Sequence, residues 1–262
     1  VPPVSADQAA NLEAEDLERL ATAAYLIRRD LEFQRVLERA HRVHAEAGAH
    51  TRAARCAFWL SLTLLLRGDA GQSHAWTARG ARLIEDDDCV ERGYLVLPLA
   101  SQQVHEGRAQ AGHATASEVV AIGERFGDPD LTAAARHLQG RALIQQGEIL
   151  AGLQRLDEAM LPVVGGELSP IITALLYCSV IDACRDVYAF GRAREWTSAF
   201  SRACEHQPEM VAFTGTCLVH RAEILQFHGA WPDSLIEAGR ACERARLADR
   251  KPPGAALYQQ AE

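Results

Sequence analysis

Turn signals recur along this chain about every 40 residues, and that spacing constrains the fold more than any other feature. They fall at Arg29-Asp30, Gly68, Gly107, Gly147, between Tyr188 and Gly191, and at Gly229. The clearest unit runs Leu138, Gly140, Leu143, a turn at Gly147, then Gly152, Leu156 and Ala159. Another runs Ala222, Leu225, Gly229, Trp231, Ser234, Ala238 and Ala241. A tight turn between antiparallel helices needs a residue that tolerates positive φ, and glycine does so without steric cost. Each unit therefore reads as a helical hairpin that cannot bury its apolar face alone, so neighbours must stack into a continuous core. The fifth turn is ambiguous, because Tyr188 fits the spacing and Gly191 fits the chemistry.

These units predict an all-α fold: a right-handed, tetratricopeptide-like α-solenoid of about five full hairpins plus a partial one. It forms a single repeat domain over residues 1–262, read as a fragment of a longer protein. The unit exceeds the roughly 34-residue norm of such repeats, which implies longer helices or loops. Small residues just after each turn (Ser73, Gly112, Gly152, Ala193 and Ser234) would let the two helices approach closely. Asp128-Pro129 and Ser169-Pro170 each place an N-cap oxygen before proline at the first helical position, and Pro208-Glu209 resembles a further start. Gly127, Gly165-Gly166 and Pro252-Pro253-Gly254 should be loops between hairpins, and Glu85 to Asp88 a solvated loop after a helix end. Residues 254–262 read as the opening of another first helix, expected to be helical only if docked on the helix containing Leu235 to Arg246.

Composition narrows the function classes. The most apolar stretch, Ala57 to Leu66, falls far short of the ~20 residues that span a bilayer. The start shows no basic region followed by an apolar core, so a cytoplasmic location is expected. Seven cysteines without a CxxC pair sit mostly at apolar helical positions, as small core residues in a reducing compartment would. Lys251 is the only lysine among 27 basic residues, a bias that fits a GC-rich genome rather than arginine chemistry. A net charge of −8 argues against nucleic-acid binding by this chain.

Several segments go beyond generic repeats. Gly93-Tyr-Leu-Val-Leu-Pro-Leu99, Ala121-Ile-Gly-Glu-Arg-Phe-Gly-Asp128, Gly166-Glu-Leu-Ser-Pro170 and Tyr177-Cys-Ser-Val-Ile-Asp-Ala-Cys184 are four of them. Met210-Val-Ala-Phe-Thr-Gly215 and Val219-His-Arg-Ala-Glu-Ile-Leu225, followed by His228-Gly-Ala-Trp-Pro232, complete the set. Together they resemble the helical-repeat region of actinobacterial LuxR-type transcriptional regulators, over nearly the whole chain. The resemblance implies a sensory or interaction role, with a helix-turn-helix placed after the repeats and, in some members, a nucleotide-binding domain before them. Neither a GxxxxGK[ST] phosphate loop nor a basic recognition-helix pair occurs here. The alternatives are a free-standing scaffold for a protein or peptide, and an accessory domain of an enzyme.

Catalytic and metal readings are weak by comparison. His41 and His44 lie three apart near Glu38, yet a bound metal needs a third or fourth ligand and no distant partner is indicated. No cofactor or metal is therefore expected. Asp182 with Asp186, and Glu13 with Glu15, read as solvated faces, and Ser169 as a cap rather than a nucleophile. No enzymatic constellation stands out, so a binding function is expected.

First helices of tetratricopeptide hairpins line the concave face. Six residues before each turn lie Leu62, Ser101, Arg141, Asp182 and Glu223; ten before lie Phe58, Leu97, His137, Cys178 and Val219. The candidate groove comprises Phe58, Trp59, Tyr94, His105, His137, Arg141, Gln145, Asp182, Arg185, His220 and Glu223. It is expected to take a protein, peptide or small molecule, with self-association a further option and neither nucleic acid nor membrane among its partners. Phe58, Trp59 and Tyr94 form its apolar end; Arg141, Asp182 and Arg185 are the anchors for a ligand or, alternatively, bridges between hairpins.

Overall fold

A computed structural model describes residues 12–27, 29–206, 211–227, 229–247, 254, 257 and 258, and within these leaves the side chains of 204–206, 211–217, 244 and 247 undescribed. Twelve α-helices and no strand occur among the described residues. They pair in order: α1 (Ala14–Leu26) with α2 (Asp30–Glu46), α3 (His50–Leu66) with α4 (Ala70–Leu83), and α5 (Glu91–His105) with α6 (Ala109–Phe126). Then follow α7 (Pro129–Gln145) with α8 (Ile149–Val164), α9 (Pro170–Asp186) with α10 (Phe190–His206), and α11 (Val211–Phe227) with α12 (Trp231–Leu247). The described residues form an all-α solenoid of six hairpins, one full unit more than the five counted from sequence. No described helix is long and apolar enough to cross a membrane.

The turn residues explain this regularity. Gly68, Gly107, Gly147 and Gly229 carry φ of 89, 76, 86 and 73°, and each ends the first helix of its hairpin. In the fifth hairpin the spacing prevails over the chemistry: Tyr188 takes φ 59°, while Gly191 lies inside α10. The tyrosine ring meets Phe190 edge-on at 5.8 Å between centroids, a contact that helps offset the cost of the left-handed backbone. Hairpins are separated at Gly127 and Gly166, as expected, and also at Gly48, which the 40-residue spacing does not mark.

Caps divide the expectations. Asp128 accepts a hydrogen bond from the Leu131 amide at 2.9 Å, with Pro129 opening α7. Ser169 does not cap α9. Its backbone amide donates to Asp130 at 2.8 Å instead, and its buried hydroxyl has no partner, because the loop is held by the previous hairpin rather than by its own helix. Glu85 to Asp88 is an exposed loop after α4, tied by Arg125 to Asp88. Pro208-Glu209 and Pro252-Pro253 lie outside the described residues, as does most of 254–262, of which Gly254, Leu257 and Tyr258 are helical.

Close helix approach comes from the small residues. Gly152 in α8 is pressed so tightly on α7 that an added Cβ would lie 2.7 Å from the Gly140 carbonyl oxygen and 2.9 Å from the Ile144 nitrogen. In the second hairpin, Ser61 and Ser73 meet through their hydroxyls at 2.9 Å; in the sixth, Ser234 donates to the Ala222 carbonyl at 2.7 Å. Among described cysteines, Cys56, Cys184 and Cys242 are buried and Cys89 and Cys178 half-buried, none of them in a disulfide. Burial pushes the Cys56 and Cys184 thiols up to about 12, so both stay protonated at neutral pH while nothing coordinates the sulfur.

The concave side is narrower than an open groove. First helices stack α3 on α5, α5 on α7, α7 on α9 and α9 on α11, and α1 also touches α11. Tyr25 and Leu26 at the end of α1, with Trp59 of α3, pack against a core that includes Leu176, Val180 and Ile181 of α9.

Candidate ligand cavity on the concave face

Among the described residues, that side holds a cavity of about 140 Å³ walled by four consecutive first helices. Leu62 and Leu66 come from α3, Leu97 and Ser101 from α5, Ala134, His137 and Leu138 from α7, and Ile172, Leu175, Leu176 and Ser179 from α9. Leu62, Leu97, Ser101 and His137 stand at the six- and ten-residue positions before their turns, so the repeat phase locates them. Leu66, Ala134 and Ser179 escape that count. Each lies three or four residues from a phase position, on the same helix face, and widening the register by one helical turn would have found them.

The cavity wall is apolar apart from Ser101, His137 and Ser179. Ser179 Oγ sits 2.7 Å from His137 Nε2 and accepts from Arg141 at 3.1 Å, while Arg141 also donates to the Ser179 carbonyl at 3.0 Å. His137 Nδ1 lies 3.2 Å from the Ala134 carbonyl, which assigns the ring proton to Nδ1 and makes Nε2 the acceptor of the serine hydroxyl. Burial first, and then the Arg141 charge, lower the His137 pKa to about 3, so the ring is neutral at physiological pH. Such a histidine is a poor general base, because the Arg141 charge disfavours the imidazolium that would form if it took the serine proton.

A pH dependence follows. The unfolded chain takes up a proton on this histidine below about pH 6.5, whereas the folded chain does so only near pH 3. Stability contributed by the neutral ring is thus complete above pH 6.5 and falls as pH is lowered through the window, by at most about 1.4 kcal/mol per pH unit. His41, shifted down mainly by burial, adds to the same trend. Denaturant midpoints measured between pH 7 and 4 should fall less steeply in His137→Gln than in the wild type; parallel slopes would refute the assignment.

The other sequence candidates divide into core and bridges. Phe58 and Tyr94 are 0% and 1% exposed, with rings 4.8 Å apart in the core between the second and third hairpins. Tyr94 donates to Asp128 at 2.8 Å and carries the Arg55 guanidinium 3.6 Å over its ring. Neither residue lines the cavity: Phe58 and Tyr94 turn together into the gap between the two hairpins instead. Trp59 is half-buried and joins all three main cores. His105 is exposed at the end of α5.

The polar anchors stand within hydrogen-bond or ion-pair distance of the protein's own groups, although both His220 ring nitrogens lack a hydrogen-bond partner among the described residues. Arg141 spans from α7 to Ser179 and, at 3.8 Å, to Asp186 on α9. Gln145 donates to the Val104 carbonyl near the end of α5 at 2.9 Å. Arg185 of α9 pairs with Glu223 of α11 at 2.7 Å and with Asp182 at 3.3 Å. His220 lies 3.8 Å from Asp182 and 3.5 Å from Glu223. Burial raises the Asp182 pKa, partly countered by His220 and Arg185. These side chains stitch one hairpin to the next.

Repeat spacing, paired helices and first helices facing a concave side define a tetratricopeptide-like helical-repeat domain. No protein-family model matches the chain, and no curated protein matches it. Among solved structures, a signal transduction ATPase with numerous domains (STAND) from Pyrococcus horikoshii, described as having a tetratricopeptide repeat sensor, aligns over 94% of this chain with a TM-score of 0.53 and 12% identity. The alignment spans 38% of that protein, and at this identity it establishes the shared fold alone.

Proposed function

We propose that this chain is the ligand-sensing helical-repeat region of a LuxR-type transcriptional regulator, with the DNA-binding helix-turn-helix outside it. The cavity carries the sensing role. Its walls come from four consecutive hairpins, so an occupant that favours one spacing of α3, α5, α7 and α9 would bias the curvature of the array. The sensor in the structural neighbour's description and the segment resemblance support the same role. Net charge of −8 supports placing DNA recognition elsewhere. The role is binding rather than catalysis, in keeping with a neutral His137 held beside a cation.

The cavity chemistry selects an uncharged, largely apolar ligand or ligand end. An engineered apolar cavity of about 150 Å³ accepts benzene, and this one is of similar size. A carboxylate would lose its hydration with only neutral groups to replace it. Saturating toluene is expected to raise the melting temperature of the wild type, and benzoate is not. Ala134→Leu, which places a side chain into the cavity, should abolish the toluene shift while preserving the fold by circular dichroism. An equal shift in both proteins would remove the cavity as the site. Reading the gene on either side of the chain tests the regulatory context: a helix-turn-helix downstream supports it, and a stop codon after Glu262 favours a free-standing scaffold.

A further inference from the structure

His41 and His44 lack a third metal ligand in the sequence, and the tertiary structure supplies partners to His44 alone. His41 Nδ1 is engaged with the Ala53 carbonyl at 2.8 Å, and its ring stands edge-on to Trp76. His44 instead meets Glu18 from α1 and Cys56 from α3. One donor atom from each of the three residues lies within 4.8 Å of the other two. His44 Nε2 is 2.5 Å from Glu18 Oε1, and His44 and Cys56 are 5% and 2% exposed. Leu17, Ala21, Leu37, Ala40 and Leu60 belong to the same core, so the inner side of the cluster is dry.

We propose that Glu18, His44 and Cys56 form a binding site for a borderline divalent cation of the zinc class, with a fourth position open to water beside Glu18. The donor set decides the class. Thiolate and imidazole suit Zn²⁺ or Co²⁺, whereas Mg²⁺ and Ca²⁺ take oxygen ligands. A thiolate and a carboxylate together neutralise the dication, so the loaded site adds no net charge to the core. On binding, the Cys56 S–H bond breaks and its proton leaves to solvent as a sulfur–metal bond forms; the proton that His44 Nε2 presents to Glu18 is given up through solvent, leaving the ring protonated on Nδ1 and the Nε2 lone pair for the ion.

The required movement is small. Tetrahedral ligands of zinc stand roughly 3.3–3.6 Å apart, given metal–ligand bonds of about 2.0–2.3 Å. Glu18 must draw back from Nε2, which its half-exposed position permits, while the Cys56 sulfur closes by no more than about 1.5 Å. Arg52 stands at the mouth, 3.1 Å from Glu15 and 3.8 Å from Glu18, with half its side chain in solvent. It can keep Glu15 and release Glu18 to the ion. A bound ion would join α1, α2 and α3 and so lock the first hairpin onto the second.

The test uses the full chain, stripped with a chelator, kept reduced and titrated with Co²⁺ alone. The wild type is expected to develop a near-ultraviolet thiolate-to-cobalt band with the visible bands of a tetrahedral ion, saturating at one equivalent and bleached by Zn²⁺. Cys56→Ser should lose the near-ultraviolet band, and Glu18→Gln should bind cobalt about tenfold or more weakly. The band's absence in the wild type, or its persistence in Cys56→Ser, would overturn the site. Should Cys56→Ser fail to fold, Glu18→Gln decides alone, since it alters a half-exposed side chain: unchanged cobalt affinity there refutes the proposal.

Discussion

Phe58→Ala is expected to lower unfolding free energy by about 3–5 kcal/mol while leaving toluene binding in the cavity detectable at temperatures where the variant is folded. The residue is fully buried, with the Tyr94 ring at 4.8 Å and the Trp59 ring at 4.9 Å. Removing it opens a void in the core cluster that includes Ala54, Leu95, Leu131 and Ala135, on helices too firmly paired to collapse into it. It also loosens the seat of Tyr94, whose hydroxyl holds the Asp128 cap of α7. The damage should therefore spread across the junction of the second, third and fourth hairpins. In a solenoid, weakening an internal junction uncouples the two ends, so the denaturant transition should also broaden. A loss below about 1 kcal/mol with sharply weaker ligand binding would mean that Phe58 faces the ligand after all.

Gly152→Val is expected to cost about 3 kcal/mol, and Gly152→Ala about 1–3 kcal/mol, because the space that a Cβ would need is taken by backbone. The Gly140 carbonyl oxygen and the Ile144 nitrogen stand 2.7 and 2.9 Å from that point, and the Ile144 side chain 2.6 Å. A rotamer change can move the isoleucine but not the α7 backbone, so α7 and α8 must separate. That shift would also displace Ala134, His137 and Leu138 on the cavity wall. Gly71 supplies the control. It lies in α4 with ordinary backbone geometry and nothing within 4 Å of an added Cβ. Gly71→Ala should gain up to about 1 kcal/mol, since only unfolded-chain entropy changes. Opposite signs for the two alanine variants in chemical denaturation would establish close helix approach; equal signs would contradict it.

Part of the candidate site is legible in the amino-acid sequence. Leu62, Leu97, Ser101 and His137 follow from counting back from a turn, because residues on one helix face recur every three or four positions. The charged residues at the same phase are legible as concave-side groups, yet their occupation is not. Whether Arg185 meets a ligand or Glu223 depends on how near α9 and α11 come, a distance that no local signal encodes. Phe58 and Tyr94 mislead the count for a related reason. Large rings turn into whichever gap the neighbouring hairpin leaves, so their direction depends on packing rather than on phase.

The sequence by itself determined the class of fold, five of the six turn positions and which helix of each pair comes first. Those features rest on short-range causes: helical periodicity, positive φ at a turn, and small residues where two adjacent helices cross. Tertiary structure alone decided the rest. It brought α1 against α11, placed an apolar cavity among four first helices where an open groove was expected, and gathered Glu18, His44 and Cys56 from three helices. Each outcome is the sum of small rotations at successive hairpin junctions, set by side-chain volumes that meet only after the array has stacked.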